Sequence, residues 1–184
     1  MLERVIVAGF GGQGVVFFGK LLAQAVMHEG RNVICFPAYG PEVRGGRANC
    51  HVTISSGEIF SPMVAQPDTL IVMNQPSWDF YSPRLGPGGL ILANTSLLTP
   101  GGGQLSGRLL CLRATDLAND LGDVRVANMV MLGAYNHVRE LLPVEALLEH
   151  LRAALTGGKA ALFDLNRQAI HKGIEAARGA SPCY

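Results

Sequence analysis

The chain has 184 residues, of which 48% are apolar and 16% charged, and its net charge is +1. That length suits one domain spanning residues 1–184 with a sizeable core, and the composition excludes a disordered chain. The small net charge excludes the strongly basic field that nucleic acid or an anionic membrane selects. A mean hydropathy of +0.25 fits either a large core or a surface covered by partner chains. No apolar stretch approaches the ~20 residues that span a bilayer. Met1-Leu2-Glu3-Arg4 enters a strand-like run directly, without the pattern of a cleaved signal. The expected location is the cytoplasm.

Val5-Ile6-Val7-Ala8 reads as a buried parallel strand that ends in glycines. Val15, Phe18, Leu22, Ala25 and Val26 then recur at helical spacing, and Gly30 closes the helix. Asn32-Val33-Ile34-Cys35-Phe36 forms a second strand stopped by Pro37, which completes a βαβ unit. Ala48, Cys50, Val52 and Ile54 alternate with Asn49, His51, Thr53 and Ser55, the pattern of a strand with one polar face. A turn at 55–58 leads to Glu58-Ile59-Phe60 as the returning arm of a hairpin.

Three further apolar runs, at 69–73, 90–93 and 108–112, read as strands, with a short helix around Trp78 between Pro76 and Pro83. Thr115 is placed to cap a helix through Leu121. From Val126 the chain is helical: one helix to about Leu142, a second with Pro143 at its first position, and a third from about Ala160 to Arg178. The order predicts an α/β fold in three layers. Its sheet is Rossmann-like and mostly parallel, with one antiparallel hairpin and C-terminal helices.

Gly9-Phe10-Gly11-Gly12-Gln13-Gly14 contains G-x-G-x-x-G between a strand and a helix. Glycines allow a tight turn and let backbone N–H groups approach an anion, and the helix N-terminus adds partial positive charge. Dinucleotide binding also needs an acidic residue at the end of the second strand. That strand ends in Cys35-Phe36-Pro37-Ala38-Tyr39, with no carboxylate. Two readings stay open: a site for another phosphate ligand, or a turn that only packs helix on sheet. A Walker A reading through Lys20 fails, because Leu21 stands where the magnesium-binding hydroxyl belongs.

Tyr39-Gly40-Pro41-Glu42-Val43-Arg44-Gly45-Gly46-Arg47 forms a second glycine-rich loop. Loops beyond the carboxyl ends of strands line the ligand crevice of open α/β sheets. The two loops are therefore expected to face one crevice. Tyr39, Glu42, Arg44 and Arg47 are candidates there to contact a ligand or an interface, the guanidinium groups through phosphate, carboxylate or ion pairs; the alternative is a charged surface loop with an internal Glu42–Arg44 pair. Asn74, just past a buried strand, is expected at the same place. Trp78, Phe80 and Tyr81 read as core or as an interface patch. Cys35, Cys50, Cys111 and Cys183 lack the close spacing of iron–sulfur or zinc ligands, and the first three read as small core residues. No nucleophile–base pair or paired carboxylates stand at catalytic spacing. No catalytic and no metal-binding residue is therefore assigned.

Gly11-Gly12-Gln13-Gly14, Tyr39 to Gly46, Met73-Asn74-Gln75, Gly88-Gly89-Leu90-Ile91 and Asn128 to Ala134 together resemble the gamma subunits of 2-oxoacid:ferredoxin oxidoreductases. The resemblance covers nearly the whole chain, and Glu42-Val43-Arg44-Gly45-Gly46 is closer to the 2-oxoglutarate and branched-chain members, with 2-oxoglutarate favoured. It implies a non-catalytic subunit of a complex that converts a 2-oxoacid and coenzyme A to an acyl-CoA and CO2, and reduces ferredoxin. The implied partners are alpha and beta subunits and a ferredoxin-like delta subunit, which carry thiamine diphosphate and the iron–sulfur clusters. Nothing is expected to bind this chain tightly by itself. Coenzyme A is expected at the subunit interface, near Gly11, Gly12, Gln13, Gly14 and Asn74. Alone, the chain is expected to be inactive and to form a homodimer. The rival readings are an independent nucleotide-binding regulatory module and an indolepyruvate oxidoreductase subunit.

Overall fold

A computed structural model of the chain describes residues 1–39, 47–101, 105 and 107–180, with Tyr39 described by its backbone alone. Six strands form one sheet: β1 (Leu2–Phe10), β2 (Asn32–Tyr39), β3 (Arg47–Ser55), β4 (Thr69–Val72), β5 (Leu90–Asn94) and β6 (Arg108–Leu112). Their order is β2-β3-β1-β4-β5-β6. β1, β4, β5 and β6 run parallel, and β3 is antiparallel to both β1 and β2. Successive side chains of a strand point to opposite faces, so the sheet has two cores. Val5, Val7, Cys50, Val52, Ile71, Leu92 and Leu110 meet one helical layer. Ile6, Ala8, Leu70, Val72, Ile91 and Leu109 meet the other.

The two outer layers are unequal. The thick one holds α1 (Val15–His28), α3 (Ala114–Asp120), α4 (Ala127–Arg139), α5 (Val144–Ala154) and α6 (Phe163–Gly179). Val15, Phe18, Leu21, Leu22, Ala25 and Val26 of α1 are buried, the i, i+3, i+4 stripe seen in the sequence. Full burial of Phe18 alone stabilises the fold by ~2–3 kcal/mol. The thin layer is α2 (Gln75–Tyr81), a 3-10 turn at Ser82–Arg84, and connecting segments that contribute Val64, Leu85 and Leu98.

Several local expectations are corrected. Glu58-Ile59-Phe60 forms no strand; the antiparallel partners of β3 are β1 and β2, so β3 inserts between the two parallel strands of the βαβ unit. Pro37 does not stop β2, because β2 is the edge strand, where a missing N–H leaves no ladder bond unmade. Thr115 is not the N-cap of α3; it lies in the first turn and bonds Asn94 instead. Pro143 is the residue before α5 rather than its first. α4 ends at Arg139, where Glu140 takes the left-handed conformation (φ 48°). Cys35 is half-buried, whereas Cys50 is fully buried.

The polar side of β3 is buried too. His51, Thr53 and Ser55 are each under a tenth exposed. His51 Nδ1 accepts the Val64 backbone N–H at 3.0 Å, so the connection after β3 folds back over that face. Alternation alone could not show this cover, because a polar residue reads the same against water or a hydrogen-bond donor. Burial holds the His51 imidazole below its ordinary value. Its stabilising contribution is then present above the unfolded value, ~6.5, and lost as the pH falls through the folded value. The urea midpoint of the wild type is expected to drop faster than that of His51→Leu between pH 7 and pH 5. Parallel pH profiles would show that His51 is not the acid-sensitive group.

Candidate functional site

The strand order reverses at β1, whose chain continues through α1 to the β3–β2 side while β4 pairs on the other. Ligands of open α/β sheets bind at such a switch point, outside the carboxyl ends of the strands. The glycine turn leaves β1 there, and Asn74 follows β4. Because β3 is antiparallel, its first residue lies at the same end, and Arg47 pairs with Phe10. The structure thus brings Arg47 beside the glycine turn, as expected. Glu42 and Arg44 lie outside the described residues, as does the side chain of Tyr39.

Gly12 (φ 101°) and Gly14 (φ 73°) occupy the left-handed region, where a side chain is strained, and Gly14 also packs against the Asn128 amide. Gly11 is different. It has no positive φ, and a Cβ there would meet none of the described residues within 4 Å. Neither its backbone nor packing among the described residues demands a glycine at this exposed position. Among the described residues none lies over Gly11 and Gly12, and their N–H groups have no partner. α1 starts directly behind, with its unpaired first-turn N–H groups and positive dipole end.

A set of side-chain amides holds this turn in place. Gln13 Oε1 accepts the Phe10 backbone N–H at 2.7 Å and the Asn74 amide at 2.7 Å, and Gln13 Nε2 donates to the Met73 carbonyl at 3.3 Å. Asn74 Oδ1 caps α2 by accepting the Ser77 N–H at 3.0 Å. Asn128 donates to the Gly14 carbonyl at 3.1 Å. Asn94 reaches the Met73 carbonyl at 3.3 Å and Thr115 at 2.8 Å. Gln13 and Asn74 are therefore committed to shaping the turn, and Asn74 is buried. Sequence reasoning missed Asn94; its signal was an asparagine straight after an apolar strand, as with Asn74.

Trp78 and Tyr81 are buried core residues, but Phe80 is exposed. The guanidinium groups of Arg47 and Arg84 lie 4.5 and 4.0 Å from its ring centroid. Neither arginine pairs with a carboxylate among the described residues. Burial raises the Tyr81 phenol, partly offset by Arg84 and then Arg47. Sequence reasoning missed Arg84, since only the fold places α2 next to the start of β3. Lys20, one turn into α1, is exposed. Among the described residues no three His, Cys, Asp or Glu side chains gather as for a metal ion.

A mixed sheet with a glycine turn at its switch point, whose main-chain N–H groups suit an anion, defines the class of this α/β domain. A family model described as pyruvate ferredoxin/flavodoxin oxidoreductase matches residues 4–176. The chain belongs to that family. It is 40% identical, over 95% of its length, to the ketoisovalerate oxidoreductase subunit VorA of Methanothermobacter thermautotrophicus. It spans only 36% of that subunit, about a third of the length of the VorA proteins it matches. It is 28% identical to the 2-oxoglutarate synthase subunit KorC of Methanocaldococcus jannaschii, covering 97% of this chain and 95% of KorC. The crystal structure of a keto/oxoacid ferredoxin oxidoreductase gamma subunit from Geobacter sulfurreducens superposes with a TM-score of 0.83 at 30% identity, covering 97% of this chain and 99% of that one. No helix among the described residues is long and apolar enough to cross a membrane.

Proposed function

We propose that this chain is the gamma-type part of a cytoplasmic, thiamine-diphosphate-dependent 2-oxoacid:ferredoxin oxidoreductase, and that its crevice holds the phosphates of coenzyme A. The observation that carries the second half is Gly11, an exposed glycine that neither its backbone conformation nor packing among the described residues requires. A phosphate over Gly11 and Gly12 meets their N–H groups, which have no partner among the described residues, and the positive end of α1. Arg47 and Arg84, stacked on Phe80 and without carboxylate partners among the described residues, supply charge at the rim. Gln13 and Asn74 act by holding the turn open rather than by reaching the ligand. In this reading the alpha, beta and delta-type chains hold thiamine diphosphate and the iron–sulfur clusters, where decarboxylation and electron transfer to ferredoxin occur. This chain orients the thioester-forming acceptor. Exposed Phe60 and Met63 offer apolar contact area for those chains, or for a second copy when the chain is alone.

The glutamate–valine–arginine loop favours 2-oxoglutarate or a branched-chain 2-oxoacid. The higher identity to the ketoisovalerate subunits supports the branched-chain substrate over 2-oxoglutarate. The test is co-expression with the neighbouring subunits and assay of acceptor reduction with 2-oxoglutarate, ketoisovalerate, pyruvate and indolepyruvate. Arg47→Ala is expected to raise the KM for coenzyme A about tenfold, the loss of one charge-assisted contact of ~1.5 kcal/mol. Gly11→Val is expected to do the same by filling the space, while CoA-independent decarboxylation continues. Normal assembly with an unchanged KM for both variants would defeat the coenzyme A reading. Reduction by none of the four acids would defeat the enzymatic one.

A further inference from the structure

The crevice leaves one reactive cluster unused, on the thick-layer side of the β2–β3 pair. Cys35 and Cys50 are free thiols with sulfurs 3.4 Å apart. In the antiparallel register Cys50 faces Pro37 and Cys35 faces Val52, so the two are diagonal neighbours on one face of the sheet. A third residue leaves room for Cys50. A Cβ at Gly19 would collide with the Cys50 sulfur and come within 3.3 Å of Val52. The pair sits in a recess that α1 leaves open at a glycine. The two thiols differ in access, since Cys50 is fully buried while Cys35 is half-buried on the edge strand.

We infer that Cys35 and Cys50 form a reversible redox site that closes to a disulfide by exchange with a small-molecule disulfide, Cys35 attacking and Cys50 resolving. The Cys35 thiolate attacks one sulfur of the small disulfide, forming a mixed disulfide and releasing one thiolate, which takes a proton from solvent. Cys50 then loses its proton as it attacks the Cys35 sulfur, and the second thiolate takes up that proton as it leaves. Two protein thiols are oxidised to one disulfide, and the small disulfide is reduced to two thiols. The hydrogen bond between the two sulfurs lowers Cys35 despite burial, and the ammonium of Lys20 adds to this. The same bond, together with burial, raises Cys50. The more accessible sulfur is thus also the better thiolate. The sulfurs must approach from 3.4 Å to the ~2.05 Å of a bond. An edge strand, free on one side, can absorb that shift where a central strand could not.

The test is equilibration of the full chain with oxidised glutathione, followed by alkylation and tryptic mapping. Cleavage after Arg44 and Arg47 puts Cys35 and Cys50 on separate peptides, 32–44 and 48–84, apart from Cys111 and Cys183. The two peptides are expected to travel as one species that dithiothreitol separates. Cys50→Ser is expected to stop at a glutathione mixed disulfide on Cys35. Cys35→Ser is expected to leave Cys50 unmodified until urea unfolds the chain, and Lys20→Met to slow the first step. Separate, alkylated peptides after full equilibration would overturn the inference. So would modification of Cys50 in folded Cys35→Ser at the rate of the unfolded chain, or Cys50→Ser with no mixed disulfide on Cys35.

Discussion

Gly173→Val is expected to destabilise the chain by about 3 kcal/mol, the upper range for forcing atoms into a close-packed interior. α4 and α6 cross at two glycines. A Cβ at Gly173 would overlap the Val130 carbonyl oxygen and stand 2.8 Å from its carbon and 3.0 Å from the Ala134 nitrogen. A Cβ at Gly133 would overlap the Ile170 carbonyl in the same way. These are backbone atoms, which no side-chain rotation can move aside. The helices must separate, and buried Val130, Ala134, Ala169 and Ile170 lose contacts. Gly173→Ala decides the sign. Helix propensity alone predicts a gain of ~1 kcal/mol from glycine to alanine, whereas close approach predicts a loss. A lower urea midpoint with an unchanged slope supports packing, and a higher midpoint would refute it. Because Asn128, in the first turn of α4, holds the Gly14 carbonyl, the same variants are expected to loosen the glycine turn.

The second large effect is expected at the opposite end of the sheet. Arg139 lies 3.1 Å from Glu3 and donates to the Thr69 hydroxyl and the Asp68 carbonyl, while Thr69 donates to Glu3 at 2.6 Å. Glu3 is 8% exposed, and burial raises its carboxyl above the ordinary value, with Thr69 and Arg139 opposing. A raised carboxylate contributes stability below its unfolded value, ~4.3, and loses it as the pH rises through the folded value. Arg139→Met removes the countercharge and moves that window further up. The variant is expected to lose about 3 kcal/mol at pH 8, the cost of an uncompensated buried charge, and little near pH 4. Asp68 behaves oppositely. Burial raises its carboxyl, but the Arg4 guanidinium and backbone N–H offset this and hold it low, so its contribution fades on acidification. Comparing variant with wild type at each pH cancels most of that effect. Glu3→Gln is expected to restore most of the loss at pH 8. A loss independent of pH, with no rescue, would show that Arg139 acts by packing alone.

The sequence by itself determined the element order, the parallel core strands and the glycine turn. The cause is local: continuous apolar runs such as Leu70-Ile71-Val72 cannot face water on either side, and the α1 stripe has a single helical period. It also placed the glycine turn at the carboxyl end of the sheet, since a turn between a strand and a helix opens at that end wherever the strand sits. Tertiary structure decided what depends on neighbours far along the chain. β3 inserted between β1 and β2 because its apolar alternation is buried equally well beside either strand, and pairing both uses every ladder bond. Pro37 was tolerated because that insertion left β2 at the edge. His51 was buried because a later segment, ending in the Val64 N–H, came back to satisfy it. At the site, Gln13 and Asn74 were visible as residues, but their roles followed from the two amides standing 2.7 Å apart, 61 positions removed in sequence. Arg47, Phe80 and Arg84 were likewise joined only by the fold, since charge stacked on an aromatic ring depends on position in space rather than on spacing along the chain.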